Sequence, residues 1–215
     1  MTHESGHAFD KEYWERHWHK DQAGAPGSMG SNPPNPHLVR EVGGLVPGTA
    51  LDAGCGAGAE AIWLASQGWQ VTAVDISAEA LARAAGRADA GGVAERVRWV
   101  EADLGVWEPE GRFELVTTHY AHPAMPQLDF YDRIAGWVAP GGTLLIVGHL
   151  HSPGGEGHGH RPAAEASVTA EAVAARLDAA EWRVAVAEER HRALTGHDGR
   201  RVELQDVVVR AVRQG

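Results

Sequence analysis

The sequence predicts an α/β protein with a mostly parallel sheet of seven strands, covered by helices and finished by an antiparallel C-terminal hairpin. Three observations predict it. Short apolar runs alternate with helical patterns between residues 50 and 147, the signature of repeated β-α units. The first of these runs passes from Leu51 and Asp52 straight into glycines at 54, 56 and 58 and then into a helix. The chain ends on two β-rich runs separated by Gly196, Asp198 and Gly199, residue types that serve a hairpin turn.

In chain order, residues 9–20 (FDKEYWERHWHK) place Tyr13, Trp14, His17 and Trp18 at helical spacings. A Gly/Pro/Ser-rich loop follows over 24–36. Residues 1–36 thus form an aromatic helix and loop ahead of a domain over 37–215. A lid over a site and a helix packed on the sheet both fit this segment. A short helix over 37–45 precedes strands at 50–53, 70–74, 97–101, 113–118 and 143–147, with helices at 59–67, 78–90 and 127–138. A Gly/His/Pro-rich loop over 149–162 leads to a helix at 169–180, which Ser167 or Thr169 would cap. Strands at 182–189 and 202–212 complete the sheet.

Composition narrows the function. A chain of 215 residues is one domain of ordinary size, and its formal charge of -10 argues against a phosphate-backbone partner, which needs a basic stripe. A small-molecule substrate is favoured, with no nucleic acid. The apolar run 144–147 is far too short to span a membrane and the first residues hold no signal core, so a cytoplasmic location is expected. The single cysteine, Cys55, allows no intramolecular disulfide and reads as a small residue tucked into the turn. Oligomeric state is not legible.

The turn LDAGCGAG (51–58) carries the chemistry. Glycines there permit positive φ and close backbone approach, and the following helix start favours an anionic ligand group. The spacing is DxGxGxG rather than the GxGxxG of dinucleotide sites, and Asp52 beside a pyrophosphate would repel it. S-adenosylmethionine suits the site better: it offers a carboxylate to the helix, an ammonium and a sulfonium to the acid, and no phosphate. Asp75, about twenty residues beyond the glycines, stands where a carboxylate accepts the ribose hydroxyls.

From Phe9 to Arg213 the chain resembles the class I S-adenosylmethionine-dependent methyltransferases, Rossmann-like in fold, and among them the tellurite-resistance and thiopurine methyltransferase-like group. The resemblance rests on residues 51–77, EADL (101–104), FELVTTHYAHP (113–123) and APGGTLLIVGH (139–149). It implies that Asp52, Gly54, Cys55, Gly56 and Gly58 hold the methionine part of the cofactor. Asp75 would take the ribose, with Ile76 beside the adenine. Asp103 would accept from the adenine amino group and Leu104 would donate its backbone amide. His119 would open the segment beneath the transferring methyl. The HYAHP segment differs from the NPPY-type sequence of nucleic-acid amino-methyltransferases.

Four histidines follow the fourth and fifth strands: His119, His122, His149 and His151. Parallel strands place both loops on one edge, so these imidazoles are expected to converge. Three roles fit them: general base or anion binder, with His119, His122 and His149 as the catalytic candidates; ordinary loop residues; or a metal site completed by His158 and His160. Arg190 and Arg192 would end the sixth strand on that edge, as an anion clamp or as solvated charge. The expected activity is methyl transfer to an O, S, N or metalloid-oxyanion acceptor. A non-catalytic protein that binds S-adenosylmethionine or metal stays open beside it, as does a nicotinamide oxidoreductase.

Overall fold

The computed structural model describes residues 9–20, 32–150, 168–195 and 201–215. The seven strands are β1 (Thr49–Ala53), β2 (Gln70–Asp75), β3 (Val97–Glu101), β4 (Phe113–His119), β5 (Val138–His149), β6 (Trp182–Thr195) and β7 (Arg201–Arg213). They form one sheet in the order β3-β2-β1-β4-β5-β7-β6. β1 to β5 run parallel, and β7 lies antiparallel to both β5 and β6. The strand order reverses between β1 and β4, so a crevice opens outside their carboxyl ends. The expected α/β architecture is present.

Alternation along the strands builds two cores. Leu51, Val116, Leu144 and Ile146 face α5 (Gln127–Ala135) and α6 (Ala170–Ala174) through Phe130, Ile134 and Val173. Ala50, Leu115, Leu145, Val147 and Val208 face the opposite way, onto Leu38 of α2 (Pro36–Val42), Leu64 of α3 (Ala59–Ser66) and Leu81 of α4 (Ala78–Ala90). Near-continuous apolar strands follow from burial on both faces. Caps start the helices: Asn35 accepts from the His37 amide, Ser77 from Ala80 and Thr169 from Ala172.

Three boundaries differ from expectation. α6 spans only Ala170–Ala174, because the Asp178 side chain accepts from the Ala180 amide at 2.9 Å and its carbonyl accepts from Trp182, turning the chain into β6. α5 stops at Ala135 and Val138 already belongs to β5, where it pairs with Phe113 before a register shift. β6 and β7 extend beyond the expected strands, pairing from Trp182–Arg213 out to Thr195–Arg201. Residues 196–200 of the predicted turn, residues 24–31 of the predicted loop over 24–36, and Ser167 lie outside the described residues. Among the described residues, no helix is long and apolar enough to cross a membrane.

Candidate active site

At the end of β1 the backbone adopts positive φ at Gly54 (79°), Gly56 (50°) and Gly58 (78°). The amides of Gly54 and Cys55 donate to the Val74 carbonyl at 2.8 and 3.0 Å, which fastens the turn to β2. A side chain at these positions would also meet neighbours: a Cβ on Gly54 would lie 2.3 Å from Ala121 Cβ, and one on Gly56 would lie 2.9 Å from Trp18 Cζ2. Glycine is therefore demanded both by conformation and by what packs on the turn. Cys55 is buried, and burial, then the charges of Asp75 and Asp52, push its thiol well up, which makes it a poor nucleophile.

Asp52 is 1% exposed. Its Oδ2 has no hydrogen-bond partner among the described residues. Burial first, then the charges of Glu60 and Asp75, raise its pKa well above the usual carboxylate range, against the opposing hydrogen bond of the Ala61 amide. Asp75 closes β2 with Oδ2 accepting from Gly56 N at 2.8 Å and Oδ1 from Ser77 N at 3.0 Å, while burial still raises its pKa. Carboxylate oxygens accept more than one donor, so both retain capacity for a ligand. Ile76 follows, half-buried. Asp103, past the end of β3, accepts from Gly105 N at 2.8 Å, and the buried Leu104 is held through its carbonyl by Arg133 Nε at 2.9 Å. Buried acids, one oxygen of which lacks a partner, suit a cationic ligand. The residues present fit the ammonium and sulfonium of S-adenosylmethionine.

Helix α1 (Lys11–Lys20) lies against this edge. Its Glu15 accepts from Ala78 N at 2.8 Å and from Ser77 Oγ at 3.2 Å, at the start of α4. Trp14 Nε1 donates to the His122 carbonyl at 3.3 Å, Lys11 pairs with Glu101, and Trp18 is buried with Ala57 and Ala80.

The model of a family described as "Methyltransferase domain" matches residues 50–142, the span from β1 into β5 that holds the turn and all three acids. This stretch is similar to a methyltransferase domain, and the sheet around it has the Rossmann-like methyltransferase fold. An uncharacterized methyltransferase of Mycobacterium tuberculosis is 40% identical over 119 residues, covering 53% of this chain and 58% of that protein. A probable thiol methyltransferase of Arabidopsis thaliana is 32% identical over 140 residues, covering 62% and 60%. The chain thus spans about three fifths of the length of these curated relatives. Among solved structures, the N-methyltransferase NodS of Bradyrhizobium japonicum, in complex with S-adenosyl-L-homocysteine, superposes with a TM-score of 0.67 at 16% identity, covering 94% of this chain and 98% of that one. This last likeness is one of fold.

The sheet brings the candidate histidines to one edge, in two environments. His119 and His149 are the last residues of β4 and β5 rather than loop residues. His122 and His149 stack with centroids 5.5 Å apart, and His149 lies on Tyr120 at 4.4 Å. His122 Nδ1 is 3.1 Å from Gln127 Oε1, and burial lowers its pKa. Both ring nitrogens of His119 are buried without a partner among the described residues. Burial, then the charge of His37, lowers the His119 pKa to about 3, so its ring is neutral near pH 7.

Other expectations fare differently. Arg190 is no free anion clamp: it donates to Glu41 Oε1 and Glu188 Oε2, each at 2.9 Å, and sits in mid-strand. The Arg192 side chain and His151, His158 and His160 lie outside the described residues. Among the described residues, no group of three or more His, Cys, Asp or Glu is arranged to hold a metal ion.

Sequence reasoning missed Tyr120, Asp206, His37 and Asn35, which join in a partly buried hydrogen-bonded chain beside the histidines. Asp206 lies 86 residues from Tyr120 and 169 from His37, so no local pattern announces the set. The one available signal was an acid, Asp206, at the head of the apolar run 207–209 in a strand due for burial.

Proposed function

We propose that this chain transfers the methyl group of S-adenosylmethionine to a small-molecule acceptor, with a small thiol as the first choice. The observation that carries the reading is Asp52, a buried carboxylate with one oxygen unpartnered among the described residues, set in a three-glycine turn. In this reading Asp52, Gly54, Cys55, Gly56 and Gly58 hold the methionine part, Asp75 the ribose, and Ile76, Asp103 and Leu104 the adenine. His119, His122 and His149 border the acceptor, and α1 is the lid that covers the pair.

Methyl transfer is an in-line displacement at carbon, so most of its acceleration comes from positioning the acceptor's electron pair against the sulfonium. A formal charge of -10 supports a small acceptor over a nucleic acid. The Arabidopsis relative, a probable thiol methyltransferase, supports sulfur over oxygen, nitrogen or a metalloid oxyanion.

The test is incubation of the full chain with methyl-labelled S-adenosylmethionine and a panel of small thiols, alcohols, amines and tellurite. Label on a thiol, with one S-adenosylhomocysteine formed per product, is the expected result. Label on another class would keep the activity and correct the acceptor. Cofactor binding with no label on any acceptor would overturn the enzyme in favour of a non-catalytic binder.

A further inference from the structure

The roles above leave one buried polar chain without a task. Asp206 in β7 is 0% exposed. Its Oδ1 accepts from the Tyr120 hydroxyl at 2.8 Å, and its Oδ2 lies 3.0 Å from His37 Nε2 on α2. Asn35 Nδ2 donates to the Tyr120 hydroxyl at 3.2 Å, and the Asn35 amide donates to Glu60 Oε1 at 3.0 Å, in the helix that starts at the glycine turn. A buried carboxylate and imidazole and a half-buried phenol are retained beside the apolar cluster of Leu38, Leu145, Val147 and Val208, where hydrocarbon side chains would pack at least as well.

Two further observations place this chain at the reacting end of the crevice. Tyr120 has a φ of 56°, the only positive value at a non-glycine position among the described residues. A bulky side chain holds that conformation only where its surroundings enforce it, and such strain gathers at functional sites. The next residue, Ala121, is the one that packs directly on Gly54, and the Tyr120 ring is stacked on His149. The phenol is thus one residue from the turn assigned to the cofactor's methionine part and in contact with a histidine assigned to the acceptor.

Resting on the methyl-transfer reading, we propose that Tyr120 is a catalytic residue that receives the acceptor's proton, with Asp206 and His37 as positioning residues behind it. The acceptor sulfur forms its bond to the methyl carbon as the sulfonium carbon-sulfur bond breaks, and that electron pair stays on the sulfur of S-adenosylhomocysteine. The thiol proton passes to Tyr120 Oη while the phenolic proton moves to Asp206 Oδ1. The neutral Asp206 carboxyl returns the proton through Tyr120 to water after the product leaves. His37, donating from Nε2 to Oδ2, keeps Oδ1 turned to the phenol.

The experiment compares two acceptors, an alkanethiol that is protonated near neutral pH and 4-nitrothiophenol, which is already a thiolate. Tyr120→Phe and Asp206→Asn are expected to lower kcat about 100-fold with the alkanethiol. With 4-nitrothiophenol they should change it less than about threefold, with unchanged cofactor affinity by calorimetry. His37→Gln is expected to show the same selectivity with a smaller loss. Equal losses on both thiols, or no loss on either, would overturn the relay while wild-type turnover upholds the transferase. A wild-type chain that binds S-adenosylmethionine and methylates neither thiol nor any other acceptor would overturn the transferase, and the relay with it.

Discussion

His119 illustrates how much a single side chain can be asked to do by its surroundings. Its ring nitrogens are buried and unpartnered among the described residues, and its pKa falls to about 3 from 6.5. Between those values the unfolded chain binds the proton and the folded chain does not, so stability is lost as pH falls through that window. The slope from this residue is at most about 1.4 kcal/mol per pH unit. We expect His119→Leu to suffer about 2 kcal/mol less loss than the wild type between about pH 6.5 and pH 5, read by urea unfolding at each pH. Equal losses in both proteins would show that His119 takes up its proton equally in the folded and unfolded states, contradicting the lowered pKa. At this scale the three-glycine turn and its flanking acids were legible, because each is dictated by its immediate neighbours in the chain. The Tyr120–Asp206–His37 set was not, since only the packing of α2 on the sheet brings its members together.

At the scale of elements, local pattern marked β1 to β4 and α3 to α5 to within a few residues, because apolar alternation and caps are local. It misjudged α6, where the Asp178 turn and the Arg176 bonds to Asp129 and Asp132 of α5 outweigh helix propensity. It also misjudged Arg190, whose partner lies on α2. Glu41 there is 7% exposed and takes Arg190 Nη1 at 2.9 Å and Arg210 Nε at 3.5 Å, while its own carbonyl accepts from Arg210 Nη1 at 3.0 Å. This joins α2, which carries His37, to both strands of the terminal hairpin. Glu41→Ala removes the buried carboxylate shared by two guanidiniums, leaving Arg190 to the exposed Glu188 and Arg210 to the backbone carbonyl of residue 41, at a cost of about 3 kcal/mol. The expected result is a Tm lower by about 6–12 °C in thermal unfolding. A Tm shift below about 2 °C would show that the ion pairs contribute nothing net.

Across the whole molecule, the order β3-β2-β1-β4-β5-β7-β6 explains why residues distant in sequence share one edge. The switch between β1 and β4 opens the crevice, β2 and β3 deliver Asp75 and Asp103 to one side of it, and β4, β5 and β7 deliver His119, His149 and Asp206 to the other. In the proposed reading, cofactor and acceptor chemistry are thus segregated along the sheet. The first half was readable from motif spacing; the second depends on the terminal hairpin, whose Asp206 aligns with His149 only through antiparallel pairing. The central claim is that the acidic glycine turn takes a cationic cofactor. Calorimetric titration of S-adenosylmethionine into the full chain and into Asp52→Asn tests it most directly. The account predicts micromolar binding by the wild type and a loss of about tenfold or more in the variant, a charged contact of about 1.4 kcal/mol or more. Equal affinity in both proteins, or binding of NADH in place of S-adenosylmethionine, would contradict it.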